Sequence, residues 1–377
     1  MTGDLAAIVA DVEVIVTAGS GGVGKTTSSA ALALAAARSG RRVVVVTIDP
    51  AKRLADALGL GIGGLGDAPS RIDGPWPGEL WAAMLDTKAS WDDLVSRHAP
   101  DRETHDAILA NPLYRNLTGR FVQSHDYVAM ERLFEIHGSG RYDLVVVDTP
   151  PSRHAIDFLD APERMADFFS SRLLRWLIAP ARSRVISAAS KPFYTVADRI
   201  LGSQFLEDIA EFFILFQSMY DGFVERAEAV TRLLSDPRTT FVVVSTLEPA
   251  PAREAAYFLD ELDRRDLALG AVVLNRVLPS SLLGAPAARV ARALAADPDG
   301  IASDISGDDE IATTGRVLTE VASSFLNFSV VAEREVDQRT ALARRADVVA
   351  SVPRLTHDVA DLSSLLEVGR AMWFEGP

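Results

Sequence analysis

The chain holds 377 residues, with 38 Lys+Arg against 52 Asp+Glu, a formal charge of −14 and no cysteine. At roughly one domain per 150 residues, the length admits two or three units, or one α/β domain enlarged by helical insertions. A composition of 48% hydrophobic and 24% charged residues is ordinary for a globular protein and excludes wholesale disorder; the missing cysteines exclude disulfides, zinc–thiolate sites, iron–sulfur clusters and thiol nucleophiles, and the acidic balance without any Lys/Arg-rich run argues against a nucleic-acid partner.

The first residues, MTGDLAAIVADVE, are acidic and lack the basic flank and cleavage site of a signal peptide. The longest apolar runs are strand-sized, so a soluble, cytoplasmic protein without stable membrane insertion is expected. Residues 12–17 form a short β-branched run, followed by glycines and an Ala/Leu-rich stretch over 27–38 that ends before Gly40. This order reads as strand, loop and helix. The continuous apolar run at 43–48 suits a strand buried on both faces of a parallel sheet. Comparable runs follow at 80–85, 144–147, 241–245 and 271–274, and more weakly at 348–352. Such strands, separated by helical patterns, predict an α/β fold built on a doubly wound, mostly parallel sheet.

Between these strands the spacing is uneven. Residues 61–78 are Gly/Pro-rich and read as loop. Helical patterns over about 86–138 and 156–237 are too long for simple crossovers and read as insertions forming a helical subdomain over one edge of the sheet. Within the second, Phe205, Ile209, Phe212, Phe213, Phe216 and Met219 recur at helical spacing. That helix either packs as core or lines a hydrophobic surface. A third segment, about 281–344, reads as irregular and helical, with an acidic loop near residue 309.

Gly19-Ser20-Gly21-Gly22-Val23-Gly24-Lys25-Thr26 fits G-x-x-x-x-G-K-[ST] at every position, directly after a strand and at the start of a helix. The chemistry needs these residue types. Across Gly21, Gly22, Val23 and Gly24 the backbone N–H groups can converge on phosphate oxygens, and the helix N-terminus adds a favourable field. Lys25 can reach the β- and γ-phosphates, and the Thr26 hydroxyl can ligate Mg²⁺. The glycine cluster at 61–66 follows no strand and reads as a connection. Asp148 ends an apolar strand, where it either serves the metal or caps a helix. Thr149-Pro150-Pro151-Ser152-Arg153-His154 after it is loop-like, the place where a γ-phosphate is sensed in a nucleotide switch. Asp49 ends the second strand, placed either to orient an attacking water or to cap the helix that begins near Ala51. The six histidines show no metal-ligand spacing.

Together these residues resemble the arsenical-pump ATPase (ArsA) and tail-anchored-protein-targeting ATPase family, within the deviant-Walker-A class of dimeric P-loop ATPases. The resemblance runs through residues 19–27, through Asp49-Pro50-Ala51 as switch I and through residues 148–154 as switch II. It extends to Asn275 after the sixth strand and Pro353 after the last, and covers essentially the whole chain. It implies a single P-loop ATPase domain, with core segments 1–85, 139–155, 238–280 and 345–377, acting on ATP with Mg²⁺. Residue by residue it implies that Lys25 binds the terminal phosphates, Thr26 ligates Mg²⁺, Thr27 contacts the α-phosphate, Asp49 positions water and Asp148 serves the metal. Asn275 would read the adenine edge, with backbone near Pro353 beside it.

Two departures qualify the resemblance. Family members carry lysine as the second residue of the loop, where it reaches across the dimer to the partner's nucleotide; here that residue is Ser20. Either the chain is a slow, mostly binding ATPase, acting as a homodimer, or it pairs with a lysine-bearing paralogue that donates the cation. The second reading is favoured because every other catalytic position is intact. The absence of cysteine also removes the thiols by which metalloid-stimulated members sense arsenite and the zinc clamp of the eukaryotic targeting factors. The expected protein is a nucleotide-dependent switch acting on a protein partner or a hydrophobic, membrane-protein client. Alternatives are a positioning ATPase riding on DNA or membrane, and a nucleotide-binding regulatory subunit with little hydrolysis.

Overall fold

The computed structural model describes residues 5–48, 53–60, 65–112, 114–115, 122–149 and 220–373, together with 159–160, 164, 167, 212 and 214–215. Eight strands form one sheet: β1 (Val14–Ala18), β2 (Arg42–Thr47), β3 (Ser70–Ile72), β4 (Glu79–Met84), β5 (Leu144–Asp148), β6 (Thr239–Ser245), β7 (Leu269–Val277) and β8 (Val349–Pro353). Their order is β3-β4-β2-β5-β1-β6-β7-β8. Every pairing is parallel except that of β3 with β4. The fold is therefore α/β with a doubly wound, mostly parallel sheet. The strands expected from the apolar runs are all present. The exception corrects the loop reading of 61–78: Ser70–Ile72 lies antiparallel against Leu80, Trp81 and Ala82.

Around the sheet the described residues form α1 (Leu5–Asp11), α2 (Lys25–Arg38), α3 (Arg53–Ala57), α4 (Thr87–His98), α5 (Arg102–Ala110), α6 (Val122–Gly138) and α7 (Tyr220–Leu234). After these come α8 (Pro249–Arg264), α9 (Ala285–Ala296), α10 (Pro298–Ile305), α11 (Ile311–Ala343) and α12 (Leu362–Trp373). Helices α1, α2, α3 and α12 cover one face of the sheet, while α6, α7 and α8 cover the other. Strand alternation feeds both layers. Val43 and Val45 enter the first core, and Val44 and Val46 the second. Strands buried on both faces carry no polar stripe, which is why β1, β2, β5 and β6 read as unbroken apolar runs.

The chain leaves β1 for α2 on one face and leaves β6 for α8 on the other, although β1 and β6 are neighbours. A crevice opens at the C-terminal ends of strands where the crossovers diverge in this way, and ligands of such sheets bind there. The segment read as irregular between 281 and 344 is regular in most of its length. It holds α9, α10 and the 33-residue α11, all within the β7–β8 connection. Helix α11 joins the main body at its C-terminal end, where Leu342 enters the second core and the Glu335 carboxylate accepts the backbone N–H of Leu278 at 3.1 Å. Burial raises the Glu335 carboxyl above its usual range, the Leu278 N–H opposes the rise, and Glu248 adds to it. Most of the Phe205–Phe216 stretch lies outside the described residues; of it, Phe212 is buried and Leu215 half-buried.

Candidate functional site

Strand β1 delivers the chain into the glycine loop, and the loop delivers it into α2. Gly24 stands at the N-cap of α2 with φ 96°, in the left-handed region, and no side chain caps the helix. The first N–H groups of α2 are thus directed into the loop without a competing side-chain acceptor. A Cβ on Gly24 would overlap the Asn275 side-chain nitrogen, and one on Gly19 would overlap the Val244 carbonyl oxygen. Glycine is required at both positions by close approach. Gly21 and Gly22 are exposed at the loop's crest, and Val23 is buried beneath it.

Lys25 is buried, and its ammonium donates to the carbonyl oxygens of Gly19 and Ser20, each at 2.9 Å. The cation therefore lies folded along the inside of its own loop. Thr26 and Thr27, both half-buried, occupy the first turn of α2. The Thr26 hydroxyl donates to Asp148 Oδ2 at 2.7 Å, and Thr47 Oγ1 donates to the same oxygen at 2.8 Å. Sheet register explains the meeting: Asp148 is the direct partner of Thr17 on β1 and of Thr47 on β2. All three share the face that α2 covers. Thr17 Oγ1 lies 2.7 Å from Ser29 Oγ of α2 and donates to the Val147 carbonyl at 3.1 Å. Thr149 Oγ1 returns a bond to the Thr17 carbonyl at 2.7 Å. A row of hydroxyls thus fixes the carboxylate against the helix start.

Asn275 lies within β7 rather than after it, and its Nδ2 donates to the Val23 carbonyl at 2.8 Å. Pro353 is the exposed last residue of the neighbouring strand β8, opposite Val277. Asn275 thereby meets the loop, while Pro353 stands at the C-terminal end of β8. The structure brings Lys25, Thr26, Asp148 and Asn275 around the glycine loop. Asp49 lies outside the described residues, as do 50–52 and 150–158, which hold the rest of the two switch segments.

Three side chains of the site carried no sequence signal. Thr47 and Thr17 reach Asp148 or its strand only through pairing across more than a hundred residues, and a threonine in a β-branched run is unremarkable by itself. The third is Glu254 on α8. Its Oε2 accepts from Ser20 Oγ at 2.8 Å, so the second residue of the loop is engaged by a carboxylate. Among the described residues no cluster of three or more His, Cys, Asp or Glu side chains could hold a metal by itself, and no helix is long and apolar enough to cross a membrane.

A family model described as anion-transporting ATPase matches residues 12–286. The chain is 31% identical over 265 residues to a Streptomyces coelicolor protein named Uncharacterized protein SCO2128, which covers 69% of this chain and 61% of that protein. It is 25% identical over 266 residues to ATPase ASNA1 homolog 2 of Paramecium tetraurelia, covering 69% of this chain and 74% of the relative. Against ATPase get3 of Aspergillus terreus the identity is 26% over 268 residues, covering 69% and 72% of the two chains. The family match contains the glycine loop, Asp148 and Asn275, and stops before most of α9 and all of α10 and α11.

Proposed function

The chain belongs to the anion-transporting ATPase family, and we propose that it is a Mg²⁺-dependent ATP-binding and hydrolysing switch whose nucleotide state controls subunit packing. Through that packing it would act on a protein partner or a hydrophobic, membrane-protein client. The observation that carries this reading is the paired arrangement at the start of α2: an ammonium held inside the loop, and a hydroxyl–carboxylate pair 2.7 Å apart behind it. The whole chain would act as one P-loop ATPase domain, with 86–138 and 156–237 as helical insertions.

In this reading Lys25 exchanges the two loop carbonyls for the terminal phosphate oxygens. The uncapped N–H groups of α2 receive the phosphates, with Thr27 beside the α-phosphate. Asn275 and the backbone near Pro353 border the adenine. Thr26 and Asp148 fit Mg²⁺, because a hydroxyl and one carboxylate suit a hard ion that keeps several waters and takes its other ligands from substrate phosphates. When bound, that ion would supply neutralisation of the phosphate charge. Asp49 is assigned the positioning of the attacking water, with Lys25 and Asp148 as its catalytic companions.

Ser20 supplies no charge. Its hydroxyl donates to Glu254, and in this reading the second cation of the transition state would come from a lysine-bearing paralogous subunit rather than from an equal homodimer. A cation supplied from a partner is worth ~10³–10⁵ in rate in related phosphoryl-transfer systems. The test measures ATP affinity and turnover for the wild type and Lys25→Ala, alone and with the paralogue. Lys25→Ala is expected to lose most nucleotide affinity, and the paralogue to raise turnover of the wild type sharply. Equal affinity in wild type and variant removes the mechanism. Tight binding with turnover that no paralogue raises leaves a nucleotide-binding regulatory subunit, the reading that the Ser20–Glu254 pair favours next.

A further inference from the structure

Apart from Tyr257, the large apolar side chains that stand exposed among the described residues all lie between 283 and 336, on the three-helix unit of the β7–β8 connection. Helix α11 is the spine of this unit. Its 33 residues extend for about 50 Å at 1.5 Å per residue. One face is lined by small residues, Gly315, Ala322, Ser329 and Ala332, all buried where α9 and α10 lie against it. Small side chains on that face let the two shorter helices approach closely and satisfy it.

Among the described residues a different face has no such cover. Val317, Val321, Ser324, Phe328 and Val331 follow one another at intervals alternating between four and three residues, and all five are exposed. The four apolar ones keep 53%, 56%, 45% and 44% of their surface in water. An apolar stripe with this alternation is the seam that one helix offers to another. Solvent alone does not account for it, since exposed apolar residues scatter singly on ordinary surfaces rather than aligning over two heptads.

The flank of the seam indicates what it fits. Glu320, Asn327 and Arg334 stand one heptad apart along its edge, all exposed, so the edge runs from negative to positive. A parallel copy would set Glu320 toward the half-buried Phe325 of its partner's helix and gain nothing from either charge. An antiparallel copy sets Glu320 against the partner's Arg334 and Asn327 against the partner's Asn327. The same register places the small Ser324 opposite the partner's Phe328 and Val321 opposite the partner's Val331. Size and charge are complementary at once, and flanking charges of this kind set helix orientation. Such self-complementarity about a two-fold axis is the property of an isologous interface.

We propose that the Val317–Val331 seam of α11 docks antiparallel onto the same seam of a second copy of this chain, about a two-fold axis near Asn327. This contact is separate from the glycine loop and does not rest on the nucleotide-switch reading. The experiment uses the full chain without nucleotide, its mass followed by light scattering across a dilution series. The wild type is expected to dimerise, and Phe328→Glu to weaken the dimer at least tenfold while keeping the wild-type circular dichroism. Glu320→Arg should weaken it too, and Glu320→Arg/Arg334→Glu should restore it. Because the chain has no cysteine, single substitutions give clean disulfide trapping. Asn327→Cys, near the axis, should cross-link to its own copy under oxidation. Thr313→Cys should not, because antiparallel packing holds the two thiols about 40 Å apart. A monomeric wild type overturns the proposal, including one that is captured instead by lipid vesicles. A dimer indifferent to Phe328→Glu, or equal trapping at both cysteines, overturns it as well. Lys25→Ala is expected to dimerise as the wild type does, so a failure of nucleotide binding leaves this outcome untouched.

Discussion

Gly24→Ala tests whether the glycine loop and the end of β7 form one packed unit. Gly24 holds φ 96°, and placing a residue with a Cβ in the left-handed region costs about 1–2 kcal/mol. The new Cβ also overlaps the Asn275 side-chain nitrogen, so the amide must swing away and abandon its 2.8 Å bond to the Val23 carbonyl. Losing that bond costs about 1 kcal/mol. Gly24→Ala should therefore destabilise the protein by about 2–3 kcal/mol in urea unfolding. Asn275→Ala alone should cost about 1 kcal/mol, by stranding the same carbonyl. In the double variant the amide is already gone, and the bond is lost only once. Its cost should stay near that of Gly24→Ala, leaving a coupling of about 1 kcal/mol between the sites. Strictly additive costs, within about 0.5 kcal/mol, would refute the idea that Asn275 braces the loop from below.

Thr47→Val keeps the strand's shape and removes the 2.8 Å donor to Asp148; Mg²⁺ affinity in the presence of nucleotide should fall roughly 10–100-fold, and an unchanged Mg²⁺ midpoint denies that Thr47 orients the carboxylate. Ser20→Lys places an ammonium beside the carboxylate that now accepts from Ser20. Turnover of the isolated chain should therefore rise further in Ser20→Lys/Glu254→Gln than in Ser20→Lys, toward ~10³-fold, and equal rates in the two would show that Glu254 does not capture the new cation. Burial, together with Arg226 and then Arg97, lowers the His98 pKa from 6.5 to about 4. The unfolded chain takes up that proton first, so the stability tied to neutral His98 is complete above pH 6.5 and is lost as pH falls toward 4. Melting temperatures of His98→Gln should fall less steeply than wild type across that window, and parallel curves would exclude His98 as the source.

Most strand positions were legible because a sheet covered on both faces leaves unbroken apolar runs. Helix α2 was legible from its glycine boundary and its Ala/Leu content. The antiparallel strand Ser70–Ile72 was not, because three residues with one buried side chain carry no period, and their partner lies in the next strand. Helix α11 was read as helical but not as one regular helix, for the opposite reason. Its small buried face and its exposed apolar seam place hydrophobic residues on two sides, which blurs a single helical stripe into an irregular pattern. The glycine loop and Asp148 announced themselves through local sequence. The threonines around Asp148 did not, since register between β2, β5 and β1 decides which hydroxyl meets the carboxylate.

The exchange of lysine for serine in the loop is an electrostatic change with a structural sequel. A lysine at that position would bring a positive charge to a neighbouring carboxylate; Ser20 instead donates a hydrogen bond to it. A nucleotide in the loop would add its own negative charge beside that carboxylate. Lys25 opposes this from the inner side, where it already lies along the loop carbonyls. The outer side, where Ser20 and Glu254 meet, carries one positive group fewer than a lysine-bearing loop would. In the proposed reading that imbalance is what a partner's cation corrects, since one ammonium entering there would face both Glu254 and the terminal phosphate. In that reading the substitution would act as a device for partner choice, because a lysine-bearing paralogue would present the charge that a second copy of this chain lacks.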